Sequence, residues 1–330
     1  MSITEQAPLW TPVSVVIPAF NEETAVAREV ETVRQILAPY QVPYEIIVVD
    51  DGSADGTAVE AAKAEARVLR HLENRGYGAA LKTGIRAARY DTIVITDADG
   101  TYPPEQIPQL VSLLETADMV VGARIGESVY IPWLRRPAKA FLRWLAVYIA
   151  EHPIPDLNSG MRALRRDCIE QYFPILSNRF SFTTTSTLAL LADGYHVIYH
   201  PINYYKRIGK SKINPRHFMD FSILILRMSM MFQPLKVFVP LSILFGVTGL
   251  FKSVYDIITL FLRSSAVGAG LLYEATLSTS AIFLLMLAVQ FLLIGMMADG
   301  LVRRIGQHNR PPVPSRGVLT VEESGSRIVA

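Results

Sequence analysis

Asp97 and Asp99 stand one residue apart behind an apolar, β-branched run, Thr92–Thr96, and Gly100 and Pro103 break the chain after them. Such a run suits a strand buried on both faces. Residues two apart on an extended chain point the same way, so both carboxylates are expected to face one ligand. Carboxylate oxygens are what hard cations take, and Mg²⁺ is usually held by one or two of them together with substrate phosphates. The plain alternative is an acidic, solvated turn at a strand end. Two further groups have the same placement after apolar runs, Asn21 and Glu22, and Asp50, Asp51 and Ser53, while Asn74, Gly76 and Gly78 open a helix. The carboxylates and amides can accept or donate to a ribose or a base, and the glycines let a backbone come close to a ligand. Read singly, each is also a turn or a helix cap. Gly-x-Gly-x-x-Gly after a first strand, a full Gly-x-x-x-x-Gly-Lys-Ser/Thr phosphate loop and a zinc-spaced Cys/His cluster are all missing.

Cations form the second group. Arg124, Arg162 and Arg207 each offer a planar fork that matches phosphate oxygens. Lys206, Arg207, Lys210, Lys212 and Arg216 follow one another with no acid between them. A solvated loop usually mixes signs. An unmixed basic run suits a lipid phosphate or anionic headgroups, on the order of 1 kcal/mol per basic residue near a membrane surface.

These residues need a scaffold, and the first half of the chain reads as one. Apolar strands are expected at 13–18, 45–50, 67–69, 92–96 and 119–122, with helices at 22–37, 57–66, 78–89 and 105–114 between them. Alternating strands and helices imply right-handed crossovers and a mostly parallel sheet. The acids then collect at strand carboxyl ends, where open α/β sheets bind ligands. The 330-residue chain is 50% hydrophobic and 19% charged, with net charge +2, and its mean hydropathy is +0.27. That balance points to a soluble domain joined to a membrane part. The single Cys168 excludes an internal disulfide framework and fits a reducing compartment. Met1–Pro12 is polar and lacks a basic-then-apolar leader, so no cleaved signal peptide is expected.

The second half supplies the membrane part. Leu134, Ala138, Phe141, Leu145 and Tyr148 form an apolar stripe in a helix expected over 133–149, with Arg135, Lys139 and Arg143 on a separate basic face. A second amphipathic helix is expected over 215–232. Runs at 237–262 and 277–298 are long enough to span a bilayer. Lys252 and Asp256 interrupt the first; four apart, they either pair on one face or mark where the helix leaves the membrane. Arg227 and Lys236 precede the spans, and Arg303, Arg304 and Arg310 follow them, whereas the connecting loop carries only Arg263 and Glu274. Positive-inside counting puts both termini in the cytoplasm. The expected organisation is an extension at 1–12, a catalytic domain at 13–214, an interfacial helix at 215–235, a two-helix transmembrane hairpin at 236–300 and a disordered basic tail at 301–330.

Taken together, Pro18-Ala19-Phe20-Asn21-Glu22, Asp50-Asp51-Gly52-Ser53, Asn74-x-Gly76-x-Gly78, Asp97-Ala98-Asp99 and Gly122-Ala123-Arg124 resemble, in order and spacing, a family 2 glycosyltransferase of the Rossmann-like GT-A α/β fold. The likeness runs from Val13 to Lys212. Asp156-Leu157-Asn158-Ser159-Gly160-Met161-Arg162 and Arg207-x-Gly209-x-Ser211-Lys212 narrow it to the polyprenyl-phosphate hexosyltransferases, the dolichol-phosphate mannose synthase and GtrB group. The resemblance implies inverting transfer of a hexose from a nucleotide diphospho-sugar to a polyprenyl phosphate such as undecaprenyl phosphate, at the cytoplasmic membrane. It implies Mg²⁺ or Mn²⁺ on Asp97 and Asp99, and catalytic roles for Asp99 and Asp156. Nucleotide-sugar contacts are implied for Pro18, Phe20, Asn21, Glu22, Asp50, Asp51, Ser53, Asn74, Gly76, Gly78, Lys82, Asp97 and Ala98. Lipid-phosphate contacts are implied for Arg124, Arg135, Ser159, Arg162, Arg207, Lys210 and Lys212. It also implies a homo-oligomer, a tetramer in some relatives, and no nucleic acid.

One departure bears on the donor. Mannose synthases of the group often carry a Gln metal ligand two residues after the second Asp, and here that position is Thr101. A UDP-sugar, UDP-glucose first, is therefore expected ahead of GDP-mannose, with UDP-N-acetylglucosamine also open. A phosphate monoester acceptor is largely ionised near neutral pH, so a general base is not required, and Asp156 is expected to orient the site. A processive polysaccharide synthase would carry Gln-x-x-Arg-Trp and more spans. A small transporter subunit would not need the acidic strand ends. A lipid-binding scaffold would keep the arginines without the metal.

Overall fold

A computed structural model describes residues 11–125, 147–148, 151–179, 181–205, 217–267 and 278–309. Arg135, Arg207, Lys210 and Lys212 fall outside these residues, as does nearly all of the interfacial helix expected at 133–149. Contacts group the chain into two compact units that divide at Phe221 and Ser222.

The first unit is built on seven strands: β1 (Val13–Ala19), β2 (Tyr44–Asp50), β3 (Arg67–Arg70), β4 (Thr92–Ile95), β5 (Met119–Arg124), β6 (Arg162–Arg165) and β7 (Val197–Ile202). Their spatial order is β3-β2-β1-β4-β6-β5-β7. All run parallel except β6, which pairs antiparallel with both β4 and β5. β1, β2 and β4 are continuous apolar runs because helices cover both faces of the sheet. Those helices are α1 (Val26–Leu37), α2 (Thr57–Lys63), α3 (Tyr77–Ala87), α4 (Ile107–Leu113), α5 (Arg166–Glu170) and α6 (Phe182–Ala192). α1 shows how period decides the packing: Val26, Val30, Val33 and Leu37 recur at three- and four-residue steps and are buried in the core. It begins four residues later than its sequence pattern suggests, because Asn21 turns the chain with φ +54° before the first helical turn.

Two features of this topology locate the site. The strand order reverses direction at β1, with β2 on one side and β4 on the other, which opens a crevice at their carboxyl ends. β6 runs against its neighbours, so the residues before it arrive at that same edge: Arg162, its first residue, lies opposite Ile95 of β4 and Val121 of β5. The segment Asp156–Met161 is thereby delivered beside the acids that follow β4. Sequence patterning does not reveal β6, since four residues carry little periodicity.

The second unit holds most of α7 (His217–Phe232), then α8 (Leu235–Val267) and α9 (Thr279–Asn309). α8 and α9 are each long and apolar enough to cross a membrane, and most of their surface is uncovered by protein. Small residues set their packing. A side chain on Gly295 would meet Phe238, and one on Gly249 would meet Leu285. Phe238, Phe245 and Phe291 stack between the helices. Lys252 pairs with Asp256 one turn along α8, and Asp256 Oδ2 accepts from both the amide and the hydroxyl of Ser278 at the start of α9. The two charges are thus matched on one face and tie the two helices together.

Candidate active site

The β4 end carries the acids. β4 stops at Ile95 and the chain turns from Ala98, so Asp99 is not on an extended strand as its spacing from Asp97 suggests. Asp99 Oδ1 instead accepts from the Thr101 amide at 3.2 Å and the Thr101 hydroxyl at 2.6 Å. Asp97 accepts the Tyr77 phenol at 2.9 Å and packs against Gly160, where an added Cβ would lie 2.8 Å from its Oδ2. Both acids nonetheless follow β4 at the carboxyl edge of the sheet, and the charge of each adds to the rise at Glu29 on α1. Glu29 is buried, with the Thr96 hydroxyl 3.3 Å from its Oε1. Burial, only partly opposed by the Thr96 hydroxyl, pushes its carboxyl up to about 8, and the charges of Asp99, Asp97 and Glu105 add to the rise. Burial and then the charge of Asp97 raise the Tyr77 phenol well above its ordinary value, so it stays a donor to that carboxylate.

No group of three or more His, Cys, Asp or Glu among the described residues could hold a metal ion. The donor set at Asp97 and Asp99 fits a cation that takes few protein ligands and completes its shell with water and phosphate oxygens, the habit of Mg²⁺. Thr101, where mannose synthases carry a Gln ligand, spends its hydroxyl on Asp99.

The groups after β1 and β2 make a frame. Asn21 donates its amide to the Ser53 hydroxyl at 2.9 Å and accepts the Ala54 amide on Oδ1 at 2.9 Å, binding the two loops together. The Glu22 amide donates to Thr57 Oγ1. Asp50 has no exposed side chain; it accepts the Ser53 amide and pairs with Arg70 Nε at 3.1 Å. Asp51 is equally enclosed, accepting the Arg75 amide at 2.9 Å and the Gly76 amide at 2.8 Å, with His71 Nδ1 at 2.7 Å. Pro18 is buried on β1, beyond the stretch paired with β4, so its missing N–H costs no bond on that side. Ala98 is buried too, whereas Phe20 is half-buried and Asn74 exposed.

Four placements correct the sequence reading. Gly76 and Gly78 do admit a close backbone, but it is the chain's own: an added Cβ would lie 2.5 Å from Asn178 O and 2.2 Å from Ser177 O respectively. Lys82 is buried and donates to Leu176 O at 2.6 Å and Asn178 Oδ1 at 2.7 Å, holding that same turn against α3. Its ammonium is lowered, by burial first and by Arg86 second. Ser159 is fully buried with its hydroxyl on Gly122 O, and Arg162 is fully buried with its guanidinium turned towards α6. Neither presents a group to a lipid phosphate. A following hydroxyl-rich helix, Thr183-Thr184-Thr185-Ser186-Thr187, is the sequence signal that could have marked Arg162 as internal.

Among the described residues expected to meet the lipid phosphate, Arg124, the last residue of β5, does sit at the edge. Its Nε and Nη2 grip Asp156 at 2.7 and 2.9 Å, its amide adds a third bond to Oδ2, and the guanidinium lies 5.1 Å above the Tyr204 ring. Burial alone would raise the Asp156 carboxyl, but the Arg124 fork outweighs it and holds the group below the usual carboxylate range. Tyr77, Tyr102, Tyr204 and Glu29 are the site residues that sequence reading missed; aromatic residues and a helical Glu carry no spacing signature of their own.

Known proteins give the fold a context. The GtrB C-terminal hairpin matches residues 233–303, and glycosyl transferase family 2 matches residues 14–173. An undecaprenyl-phosphate 4-deoxy-4-formamido-L-arabinose transferase of Serratia proteamaculans is 33% identical over 55% of this chain and 60% of its own, so the match spans less than two thirds of that relative. The Pseudomonas fluorescens protein of the same name is 29% identical over 88% of this chain and 85% of its own. An uncharacterized glycosyltransferase of Mycobacterium bovis is 31% identical over 61% of this chain and 89% of its own. Among solved structures, glucosyl-3-phosphoglycerate synthase from Mycobacterium tuberculosis, crystallised with Mn²⁺, UDP and phosphoglyceric acid, superposes with a TM-score of 0.55 at 20% identity, covering 67% of this chain and 79% of that one; this likeness is one of fold. By its sheet, its acidic strand ends and these matches, the chain belongs to glycosyl transferase family 2, a glycosyltransferase that also carries the GtrB C-terminal hairpin.

Proposed function

We propose that this protein transfers a sugar from a nucleotide diphospho-sugar to a polyprenyl phosphate, inverting the anomeric centre. The observation that carries the reading is the placement of Asp97 and Asp99 just after β4, at the carboxyl edge of the sheet, in a chain that also matches the GtrB C-terminal hairpin. The relatives named for transfer to undecaprenyl phosphate support the acceptor.

Asp97 and Asp99 would hold a divalent cation, which would neutralise charge building on the departing nucleotide diphosphate. The chain's own residues do the rest. Tyr77 and Thr101 fix the directions of the two carboxylates. Asn21, Glu22 and Asn74 line the donor side, on the frame that Asp50, Asp51 and Ser53 hold. Arg124 presents a guanidinium at the β5 end for the acceptor phosphate, steadied by Asp156 and Tyr204. Asp156 is held ionised with both oxygens already accepting bonds, so it orients and does not take a proton. The ionised phosphate oxygen attacks opposite the diphosphate, and alignment with charge stabilisation suffices. Thr101 in place of a Gln favours a UDP-sugar, UDP-glucose first. The charge distribution around α8 and α9 supports catalysis on the cytoplasmic face, with both ends of the chain there.

The test is a panel of labelled donors: UDP-glucose, UDP-N-acetylglucosamine, GDP-mannose and the 4-deoxy-4-formamido-L-arabinose derivative of UDP. Each is incubated with the full chain in detergent and undecaprenyl phosphate. One donor should yield a lipid-linked sugar in Mn²⁺ or Mg²⁺, and EDTA should remove at least about 100-fold of that rate. Nucleotide binding with no product from any donor and any polyprenyl phosphate would make the protein a scaffold.

A further inference from the structure

Arg162 is the largest fully buried side chain among the described residues, and none of its hydrogen bonds there goes to a carboxylate. Nη1 donates to Thr183 O, Ser186 Oγ and Thr187 Oγ1 at 3.1, 3.1 and 3.2 Å; Nη2 donates to Ser159 O at 2.5 Å. Nε is buried without a hydrogen-bond partner. Tyr77, Tyr199, Tyr102 and Asp156 reach it only through space. A buried guanidinium with no paired acid is an expensive way to fill a core, since an apolar side chain of similar volume is often neutral or better for stability. Stability alone therefore does not account for it.

Its bonds show what it spans. One end holds the loop 156–160 from below through Ser159 O, and the other grips the first two turns of α6. That loop touches the Arg124 and Asp97 sides of the site. Asp156 takes the Arg124 fork, Asn158 Oδ1 accepts the Thr184 hydroxyl at 2.6 Å, and the Ser159 hydroxyl binds Gly122 O. The Gly160 amide donates to the Tyr102 hydroxyl at 2.6 Å, and Gly160 packs on the Asp97 carboxylate. We propose that Arg162 is a positioning residue: it fixes the 156–160 loop so that Asp97 and the Arg124–Asp156 pair keep one spacing. The kinetic part rests on the proposed sugar transfer to a polyprenyl phosphate; the structural part does not.

The experiment uses the full chain in detergent, with Arg162→Met, Arg162→Lys and the double variant Ser186→Ala/Thr187→Val, which keeps the charge but removes two of its acceptors. Hydrogen exchange is read in peptides covering 154–161 and, for comparison, β1 and β2. Mn²⁺–UDP affinity is measured by calorimetry, and kcat and KM with undecaprenyl phosphate. Arg162→Met should speed exchange in 154–161 by about 10-fold or more while β1 and β2 stay protected. It should cut kcat by about 100-fold, the scale of a misplaced reacting group, and leave Mn²⁺–UDP affinity within about threefold. Arg162→Lys should recover part of kcat, and the double variant should shift loop exchange in the same direction by less. Unchanged loop exchange in Arg162→Met, or a rise spread evenly over β1 and β2, would overturn the proposal. If Arg162→Met does not fold, unaltered loop exchange in both Arg162→Lys and the double variant overturns it as well. Faster loop exchange in a protein whose wild type transfers no sugar would uphold the positioning and sink the reaction.

Discussion

Asp50-Asp51 and Asp97-Ala98-Asp99 look alike in the sequence: acids closing an apolar strand just before a glycine. The fold uses them in opposite ways. After β2, the Ser53 amide and, from the loop after β3, the amides of Arg75 and Gly76 point at the carboxylates, with Arg70 and His71 beside them. Those acids are paired by the chain itself and serve as mortar between β2, β3 and α3. After β4, the Thr101 amide and hydroxyl and the Tyr77 phenol direct the carboxylates, and a third acid, Glu29, is driven up by burial, with the charges of both acids adding to the rise. Concentrated negative charge is what a cation and a diphosphate can use; a carboxylate whose lone pairs already hold backbone amides has little to offer a ligand.

The sharpest way to break this contrast is to remove one acid from each pair. Asp99→Ala should lower sugar transfer by about 1000-fold, the size expected when a charge-stabilising group is lost. Its melting temperature should change less than that of Asp51→Ala, since the Thr101 bonds it loses are local, two residues apart. Asp51→Ala should do the reverse. It strands the amides of Arg75 and Gly76 and the buried His71 ring, and should destabilise the protein by about 3 kcal/mol in denaturant unfolding. If Asp51→Ala keeps full stability but loses nucleotide affinity, the frame assignment is wrong and Asp51 is a direct ligand.

The same contrast explains what could be read from the sequence. Long apolar strands such as Val13–Ala19 and Tyr44–Asp50 were legible because burial on both faces leaves a continuous run, and α1 was legible from its period. The location of the acids at one edge followed from parallel topology. What sequence order hides is which donors come back to meet each acid. The turn at 177–179, a hundred residues from Gly76 and Gly78, fills the space those glycines leave, and Lys82 fastens it. Arg162 looked like a phosphate ligand because a fork suits phosphate; only the antiparallel placement of β6, with α6 supplying hydroxyls beneath it, turns it inward. Lys252 and Asp256 were the reverse case: their four-residue spacing offered pairing as one of two readings, and the fold takes it.

The smallest effect concerns Glu29, and it separates a charged site from a merely acidic one. Its folded-state pKa, about 8, lies above the ordinary carboxylate value. Between about pH 4.5 and 8 the unfolded chain therefore ionises this group while the folded protein keeps it protonated, so stability falls as pH rises through that window. Glu29→Gln keeps a neutral, similarly shaped side chain beside Thr96 and removes the proton linkage. In EDTA, with no cation to offset the acids, unfolding free energy should decline less from pH 5 to pH 8 in Glu29→Gln than in the wild type, by about 2 kcal/mol. Both proteins should have similar stability at pH 5. Parallel pH profiles would mean that Glu29 is already ionised in the folded state, and that Asp97 and Asp99 do not concentrate enough charge, in a dry enough place, to set this edge apart from the β2 turn.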